Sequence, residues 1–399
     1  MQEKNRRAPQ GHLRRVSSTV IALACIGGAY YSLRIAYAEY LFRSGRPGTI
    51  ERAAALAPLR ADYQARLNRL DRALKLNPYL SPAWIELGLR AEAAGDAAKA
   101  EAALREAVRL DRTFEPRWTL ANFYFRRGNQ DEFWKWIRAA ADMSYGDRTG
   151  LFQLCWRATA DSQTILDRAI PSDRNLLADY VGYLGRTERY PAAQAAAARW
   201  VSLAVKEDVP GLLRFCDLLI EKAHDSAGAL RIWNALIEKA WLPFEDLDLN
   251  AGSVVTNGTF RSPPISQGFD WRLLSRPGVR VESYQGLGIR LDGHQKEQTG
   301  FLLQWLPLRP STTYELTIKA QSADIPAGSG LRLKILDAST GTALAESEIA
   351  MPVSILRFET PPHTSLGELN LGYKRALGTS RIAGSVVFSS VAMVPVLHR

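Results

Sequence analysis

The sequence is poor in the residues on which metal and redox sites are usually built. Three cysteines and five histidines occur among 399 residues, and none of them forms a CxxC pair or a Cys/His cluster. We therefore expect no metal and no cofactor. Cys155 and Cys216 lie far apart in a helical region, where we expect two buried free thiols. The HExxH, GxSxG and phosphate-loop motifs are absent as well, so we expect no enzyme activity.

Positive charge is in excess but is not concentrated. The formal net charge is +10. A basic cluster occurs only in the N-terminal tail, residues 1–15, whereas Arg and Lys are interleaved with Asp and Glu elsewhere. Because a nucleic-acid site requires a basic patch or stripe, we expect no nucleic-acid partner.

One long uncharged run lies near the N-terminus. The eighteen residues VSSTVIALACIGGAYYSL, from Val16 to Leu33, carry no charge. As a helix they would extend about 27 Å, close to the hydrocarbon thickness of a bilayer. We predict a transmembrane anchor over residues 16–34, and the basic residues before it place the N-terminus in the cytoplasm. The alternative is a cleaved signal peptide with AYA at residues 36–38 as its cleavage site.

Residues 50–241 have the spacing of a helical repeat. Trp84 and Trp118 are 34 residues apart, and Ala73, Ala107 and Ala141 recur at the same interval. A period of 34 residues is the tetratricopeptide signature. Apolar residues at three- and four-residue spacing continue to residue 241, which predicts further helical hairpins.

The first of these units resembles the tetratricopeptide family in detail. Pro78 closes the helix before it, which we place at roughly residues 62–76. The resemblance implies an α-solenoid of four to six helix pairs, whose concave surface binds a protein partner. The positions that carry the packing in both units are Trp84, Leu87, Gly88, Ala100, Ala107, Trp118 and Ala141.

From about residue 254 the periodicity changes to two. In TTYELTIKA, the apolar Tyr314, Leu316 and Ile318 alternate with polar residues, and LRLKILD alternates in the same way. Runs of Gly, Pro and Ser separate such segments, which predicts an antiparallel β-sandwich over residues 254–399. The acidic stretch FEDLDLN lies at the junction, and we interpret residues 242–253 as a solvated linker.

Three stretches resemble the jelly-roll carbohydrate-binding modules of the galactose-binding-like group. They are NGTF at residues 257–260, LPLRPSTTYELTIKAQS at 306–322 and GSVVFSSVAMVP at 384–395. The resemblance implies a jelly roll whose first strand is marked by NGTF. In those modules an opening Glu and a closing Asp pair help to hold a structural calcium ion. Arg261, Ser389 and Ser390 stand at the matching positions and are poor calcium ligands, so we expect no calcium there.

Aromatic and planar polar side chains are the candidates for sugar binding. A sugar ring packs against a flat aromatic face, while planar groups bond its hydroxyls. Trp305 is the preferred surface position. The alternative is that the aromatic residues form the core or pack the sandwich against the helices. The candidate set is Trp305, Trp271, Tyr284, Tyr373, Gln304 and Arg272, with Arg290 and Asn370 as further hydrogen-bonding groups.

Together these features indicate a single-pass protein of the bacterial inner membrane, with its bulk in the periplasm. Its repeats would bind a protein partner and its jelly roll a polysaccharide. This organisation resembles accessory factors of bacterial exopolysaccharide or cell-envelope glycan assembly. Two alternatives stay open: a purely structural scaffold in which the sandwich caps the solenoid, and a glycan-active enzyme whose carboxylates come from distant positions.

Overall fold

The computed structural model describes residues 10–283, 286–326 and 328–396, with the backbone alone for residues 10–19 and Ser283. The chain divides into two compact units, Met1–Asp147 and Arg148–Arg399. The first unit is helical in the residues described. The second contains further helices followed by two antiparallel sheets, so the predicted order of helical and β parts is confirmed.

Helix α1 is long and apolar. It runs Gln10–Ser44, 35 residues, and so contains the predicted anchor and extends beyond it. The stretch Val20–Ser44 is long and apolar enough to cross a membrane, and an export signal would meet the same criteria. The end of the helix belongs to the folded unit, because Ala38 and Leu41 are buried in a cluster with Tyr63.

The remaining helices of the first unit are short. Asn68 has a φ of 63°, a left-handed conformation that ends a helix. The single helix predicted over residues 62–76 is therefore wrong, since two helices flank this residue. The helices are α2 Thr49–Leu56, α3 Ala61–Arg66, α4 Leu70–Leu76, α5 Ser81–Ala93, α6 Ala97–Leu110, α7 Phe114–Arg126 and α8 Gln130–Ala141.

Small residues set the approach of α5 and α6. A Cβ added to Gly88 would lie 2.6 Å from Cγ of Leu104, so a larger residue would push the two helices apart. Ala100 and Ala107 have no exposed surface, whereas Leu87 is half-buried. The close contact at Gly88 is the one that the tetratricopeptide resemblance implies.

The two repeated tryptophans lie at the margin of the packed surface. Trp84 is half-buried, and its Nε1 donates to the carbonyl of Pro78 at 2.8 Å. Trp118 is also half-buried and stacks on Phe114 with ring centroids 5.7 Å apart. Ala141 is buried at the end of α8. The repeated positions therefore fix the ends of helices as well as the contacts between helices.

The second unit begins with six further α-helices in the described residues. Asp161, Asp173 and Asp225 each cap the N-terminus of the helix that follows, with the carboxylate accepting a backbone N–H. Cys155 and Cys216 are buried free thiols, as predicted. The helices are α9 Thr149–Ala158, α10 Ser162–Arg168, α11 Arg174–Arg186, α12 Tyr190–Leu203, α13 Val209–Glu221 and α14 Ser226–Glu238.

Two five-stranded antiparallel sheets form the sandwich. The first sheet has the order β1-β4-β9-β6-β7 and the second sheet the order β2-β3-β10-β5-β8. Their facing sides bury the predicted alternating residues, among them Leu316, Ile318, Leu333 and Ile335. The strands are β1 Arg272–Leu273, β2 Val279–Ser283, β3 Leu287–Asp292, β4 Gln298–Pro307, β5 Thr313–Ala323, β6 Leu331–Asp337, β7 Ala343–Glu348, β8 Val353–Glu359, β9 Leu366–Lys374 and β10 Ala383–Pro395.

The NGTF segment is not a strand, which corrects the prediction from the resemblance. Asn257 and Phe260 have φ values of 51° and 53°, so the chain turns here instead of extending. The segment packs on β10, where the N–H of Val391 donates to the carbonyl of Gly258 at 2.7 Å. A Cβ at Gly258 would lie 2.1 Å from the Val391 carbonyl oxygen. Glycine is thus required by the close approach of two backbones.

The segment 242–253 is only partly solvated. Leu242 and Leu247 are buried, while Glu245 and Asp246 are exposed. The side chain of Asn234 on α14 accepts from the N–H of Leu247 and donates to its carbonyl, each at 3.0 Å. The predicted solvated linker is therefore fastened to the last helix by its apolar residues and this amide pair.

Candidate functional site

The outward side of the first sheet carries a strip of polar side chains. Successive side chains of a strand point to opposite faces, so the residues between the buried ones point outward. The register places Leu303, Asn370 and Lys334 in one row across β4, β9 and β6, and Trp305 beside Glu368 in the next. We call this set the outer face: Arg272, Leu303, Trp305, Arg332, Lys334, Leu336, Glu346, Glu368 and Asn370.

Hydrogen-bonding groups on the outer face are arranged as neighbouring pairs. The amide of Asn370 donates to Glu368 at 2.7 Å, and the guanidinium of Arg332 lies 3.4 Å from Glu346. Lys334 is directly opposite Glu346 in the register. These side chains are partly exposed, so a ligand on the outer face can reach both donors and acceptors. The groups lie on neighbouring strands, which are about 4.8 Å apart.

One end of the outer face contacts the helices of the same unit. The guanidinium of Arg272 pairs with Asp217 on α13 at 2.6 Å and donates to the carbonyl of Gly268 at 2.9 Å. The N–H of Gly268 donates to the same Asp217 carboxylate at 2.7 Å. Burial raises the pKa of Asp217, and the Gly268 amide and Arg272 oppose that rise. A partly buried ion pair therefore joins α13 to the sandwich.

Trp305 lies beside this junction. The Arg272 guanidinium lies 5.9 Å from the centre of its ring, within the range of a cation–π contact. The indole is half-buried, and its Nε1 is shielded from solvent with no partner among the described residues. The structure thus brings together two of the predicted sugar-binding residues, Trp305 and Arg272, and leaves part of the indole accessible.

Three other predicted residues lie inside the sandwich. Trp271 and Gln304 have no exposed surface, and Tyr373 is 2% exposed. The side-chain amide of Gln304 donates to the carbonyls of Thr256 and Phe269 at 2.8 and 3.0 Å. These three are corrected from sugar candidates to core residues, because a buried ring or amide cannot meet a sugar. Tyr284 lies outside the described residues.

The described residues at the positions that match the calcium ligands of carbohydrate-binding modules form no cluster of acidic side chains. Arg261 is exposed, and the hydroxyl of Ser389 donates to the carbonyl of Lys319 at 3.1 Å. Across the parts of the chain that the structure describes, no group of three His, Cys, Asp or Glu side chains is placed to hold a metal ion. The absence of a calcium ion stays a prediction.

A buried carboxyl group that sequence reasoning missed lies next to the junction. Asp270 has no exposed surface, and one of its oxygens accepts the N–H of Ile265 at 2.7 Å. Its other oxygen has no partner among the described residues. Burial raises the pKa of Asp270 to about 6, while bonds from the Ile265 and Trp271 amides and from Asn257 oppose the rise. Nothing in the sequence around Asp270 marks it as buried.

The first helices of two successive repeats are tied together in the first unit. Arg126 on α7 forms two hydrogen bonds of 2.7 Å with Glu92 on α5. Leu89 on α5 is 38% exposed. The pair therefore lies within the repeats that the sequence predicts to bind a protein partner.

No family model and no curated protein matches the chain. Among solved structures, it is similar to a CBM4 structure with 18% identity and a TM-score of 0.29, over 36% of this chain and 99% of that one. It is similar to TmCBM61, solved with β-1,4-galactotriose, with 14% identity and a TM-score of 0.26, over 37% and 100%. It is also similar to YrrB, a TPR protein with an unusual peptide-binding site, with 13% identity and a TM-score of 0.21, over 42% and 91%. These neighbours include both kinds of fold that the sequence predicts.

Proposed function

We propose that this chain is a non-enzymatic extracytoplasmic scaffold, held in the bacterial inner membrane by α1. Its helical repeats bind a protein partner, and the outer face of its first sheet contacts a polysaccharide. Its role is that of an accessory factor in exopolysaccharide or cell-envelope glycan assembly. The observation that carries the proposal is the strip of polar side chains on the outer face, which continues from the partly accessible indole of Trp305.

The chemistry of the outer face suits a polysaccharide better than an apolar ligand. Asn370 and Glu368 offer an amide and a carboxylate, and Lys334 adds a flexible donor. Such groups bond sugar hydroxyls, and the accessible part of the Trp305 indole offers aromatic surface against which a ring can pack. The strip crosses β4, β9 and β6. An extended polysaccharide lying across these strands would therefore contact several of the side chains at once.

A purely structural scaffold is the second candidate, and the junction favours it. Trp271 is fully buried, and Arg272 is held by Asp217 on α13. Phe269 packs edge-on against Trp233 of α14 at 6.0 Å. On this hypothesis the aromatic residues serve only to fix the sandwich to the helices, and the outer face has no ligand.

Affinity electrophoresis of the full chain in detergent separates the two hypotheses. Gels would contain xylan, mixed-linkage glucan, galactan, alginate or a polymer of glucosamine. We expect retardation by at least one polysaccharide, and a loss of affinity of about tenfold in the double variant Asn370→Ala/Lys334→Ala. Lys319→Ala, an exposed lysine on the opposite side of the sandwich, is the matched control. Retardation by none of the panel, or equal retardation of both variants, would support the purely structural scaffold.

A further inference from the structure

A groove in the second unit shares no residue with the outer face. Its volume is about 620 Å³, within the range of ligand sites. One wall is α14 and the other is the turn after β4 with the residue before β9. Its surface is mainly aliphatic, and the residues that matter here are Leu230, Leu249, Pro307 and Leu308, with the charged Arg231 and Arg309.

The two arginines of the groove are held by neutral groups. Arg231 donates to the side-chain carbonyl of Gln194 at 2.9 Å, and Arg309 to that of Asn250 at 3.1 Å. Among the described residues, neither has a carboxylate within the 4.0 Å of an ion pair. The amide of Gln194 in turn donates to Asp225, and that of Asn250 to Asp248. Each guanidinium is thus held by a neutral amide, and these carboxylates lie one hydrogen bond further away.

The groove also has a direction. Glu238 lines it as well, but along α14 it follows Arg231 by about two helical turns, or roughly 10 Å. The positive charge of Arg231 is therefore separated from Glu238, the one carboxylate among the described lining residues. An anionic group would be attracted to the Arg231 end of the α14 wall and repelled from the Glu238 end.

The lining identifies the class of ligand. It contains no aromatic side chain, so a sugar ring would find no platform there. Leucine, alanine and proline side chains instead match an aliphatic side chain, and a guanidinium with no carboxylate in direct contact matches a carboxylate. We propose that this groove docks a short peptide segment of a protein partner, one that carries an aliphatic residue close to Asp or Glu.

This inference deepens the proposed function, because it assigns a second surface for the protein partner. It makes the last helix and the sandwich a joint binding element that shares no residue with the outer face. The role of the sandwich in protein binding would then be independent of whether it binds a polysaccharide.

A peptide selection tests the proposal. Phage-displayed random dodecapeptides are selected on the full chain in detergent, and enriched sequences are measured by fluorescence anisotropy. We expect peptides with an aliphatic residue next to Asp or Glu, and at least a tenfold loss of affinity in Arg309→Gln and in Arg231→Gln. These substitutions remove the charge while keeping a side chain that can bond. Arg280→Gln, an exposed arginine on β2, is the control and should bind like the wild type.

Three results would overturn the proposal. They are enrichment of no acidic peptide, equal binding to the groove variants and the wild type, and binding of alginate that the groove variants abolish while no peptide binds. Circular dichroism of each variant verifies its folding. The polysaccharide gels are run on the same proteins. If the Arg309→Gln variant is still retarded by a polysaccharide, the outer face binds independently of the groove. The peptide proposal could then be wrong while the proposed function of the outer face holds.

Discussion

The buried carboxyl of Asp270 predicts a pH-dependent stability whose size follows from the structure. Its pKa is raised from 3.8 to about 6, so between these values the folded state holds a proton that the unfolded state has released. Stability therefore falls as pH rises through this window and levels off above pH 6. At about 1.4 kcal/mol per pKa unit, the ionised carboxylate costs the folded state about 3 kcal/mol above that window.

The substitution Asp270→Asn removes this titration while preserving the shape of the side chain. Between pH 4.5 and pH 8 we expect the free energy of unfolding of the wild type to fall by about 2 kcal/mol relative to that of the variant. The amide retains an oxygen that can accept the N–H of Ile265, so the local turn should persist. Urea unfolding of the full chain, followed by tryptophan fluorescence at several pH values, measures the difference.

Asp246→Asn provides the matched control, because Asp246 is exposed in the segment before the sandwich. It should leave the pH dependence of unfolding unchanged. If Asp270→Asn shows the same pH dependence as the wild type, the carboxyl of Asp270 is not the source of the effect and the reasoning from its burial fails.

Two further predictions concern packing. Gly88→Ala places a Cβ 2.6 Å from Leu104, so we expect a loss of about 1–3 kcal/mol in thermal or urea unfolding, whereas Gly150→Ala, where no atom lies within 4 Å, should be neutral or slightly stabilising. Arg272→Ala leaves the partly buried carboxylate of Asp217 without its guanidinium partner, so we expect a loss of about 1–2 kcal/mol. Adding Asp217→Asn should recover part of that loss; a double variant no more stable than Arg272→Ala would argue against the ion pair.

Periodicity predicted the type of the repeated helical hairpins and of the alternating strands. The 34-residue interval predicts the hairpins, and the contact of Gly88 with Leu104 is the physical reason for one of its small residues. Alternation in LRLKILD separates Leu331, Leu333 and Ile335 from Arg332 and Lys334, and the structure buries the first group. Such patterns are local, so they can be read from the sequence.

The candidate site depended on partners distant in the sequence. The alternation that marks Arg332 and Lys334 as outward gives no information on which strands flank them, and β9 with Glu368 and Asn370 lies more than thirty residues away. The sequence predicts Gln304 as a sugar-binding group, but its side-chain amide donates to the carbonyls of Thr256 and Phe269 in the core. A buried polar residue cannot be distinguished from a binding residue by its type alone.

The NGTF motif shows the same limit for backbone conformation. The resemblance predicts an opening strand, and this is wrong because Asn257 and Phe260 have positive φ values. The segment lies beside the last strand, where Val391 donates to Gly258. Tertiary contacts with β10 decide between a strand and a turn here.

Hydrogen–deuterium exchange of the full chain, with and without the polysaccharide that retards it most, tests the central claim most directly. The proposed function predicts slower exchange in β9 and β6, Leu366–Lys374 and Leu331–Asp337, which carry Asn370 and Lys334. Strands β5 and β8 of the second sheet should exchange at the same rate in both samples. Protection confined to the second sheet, or no protection anywhere, would contradict a polysaccharide site on the outer face.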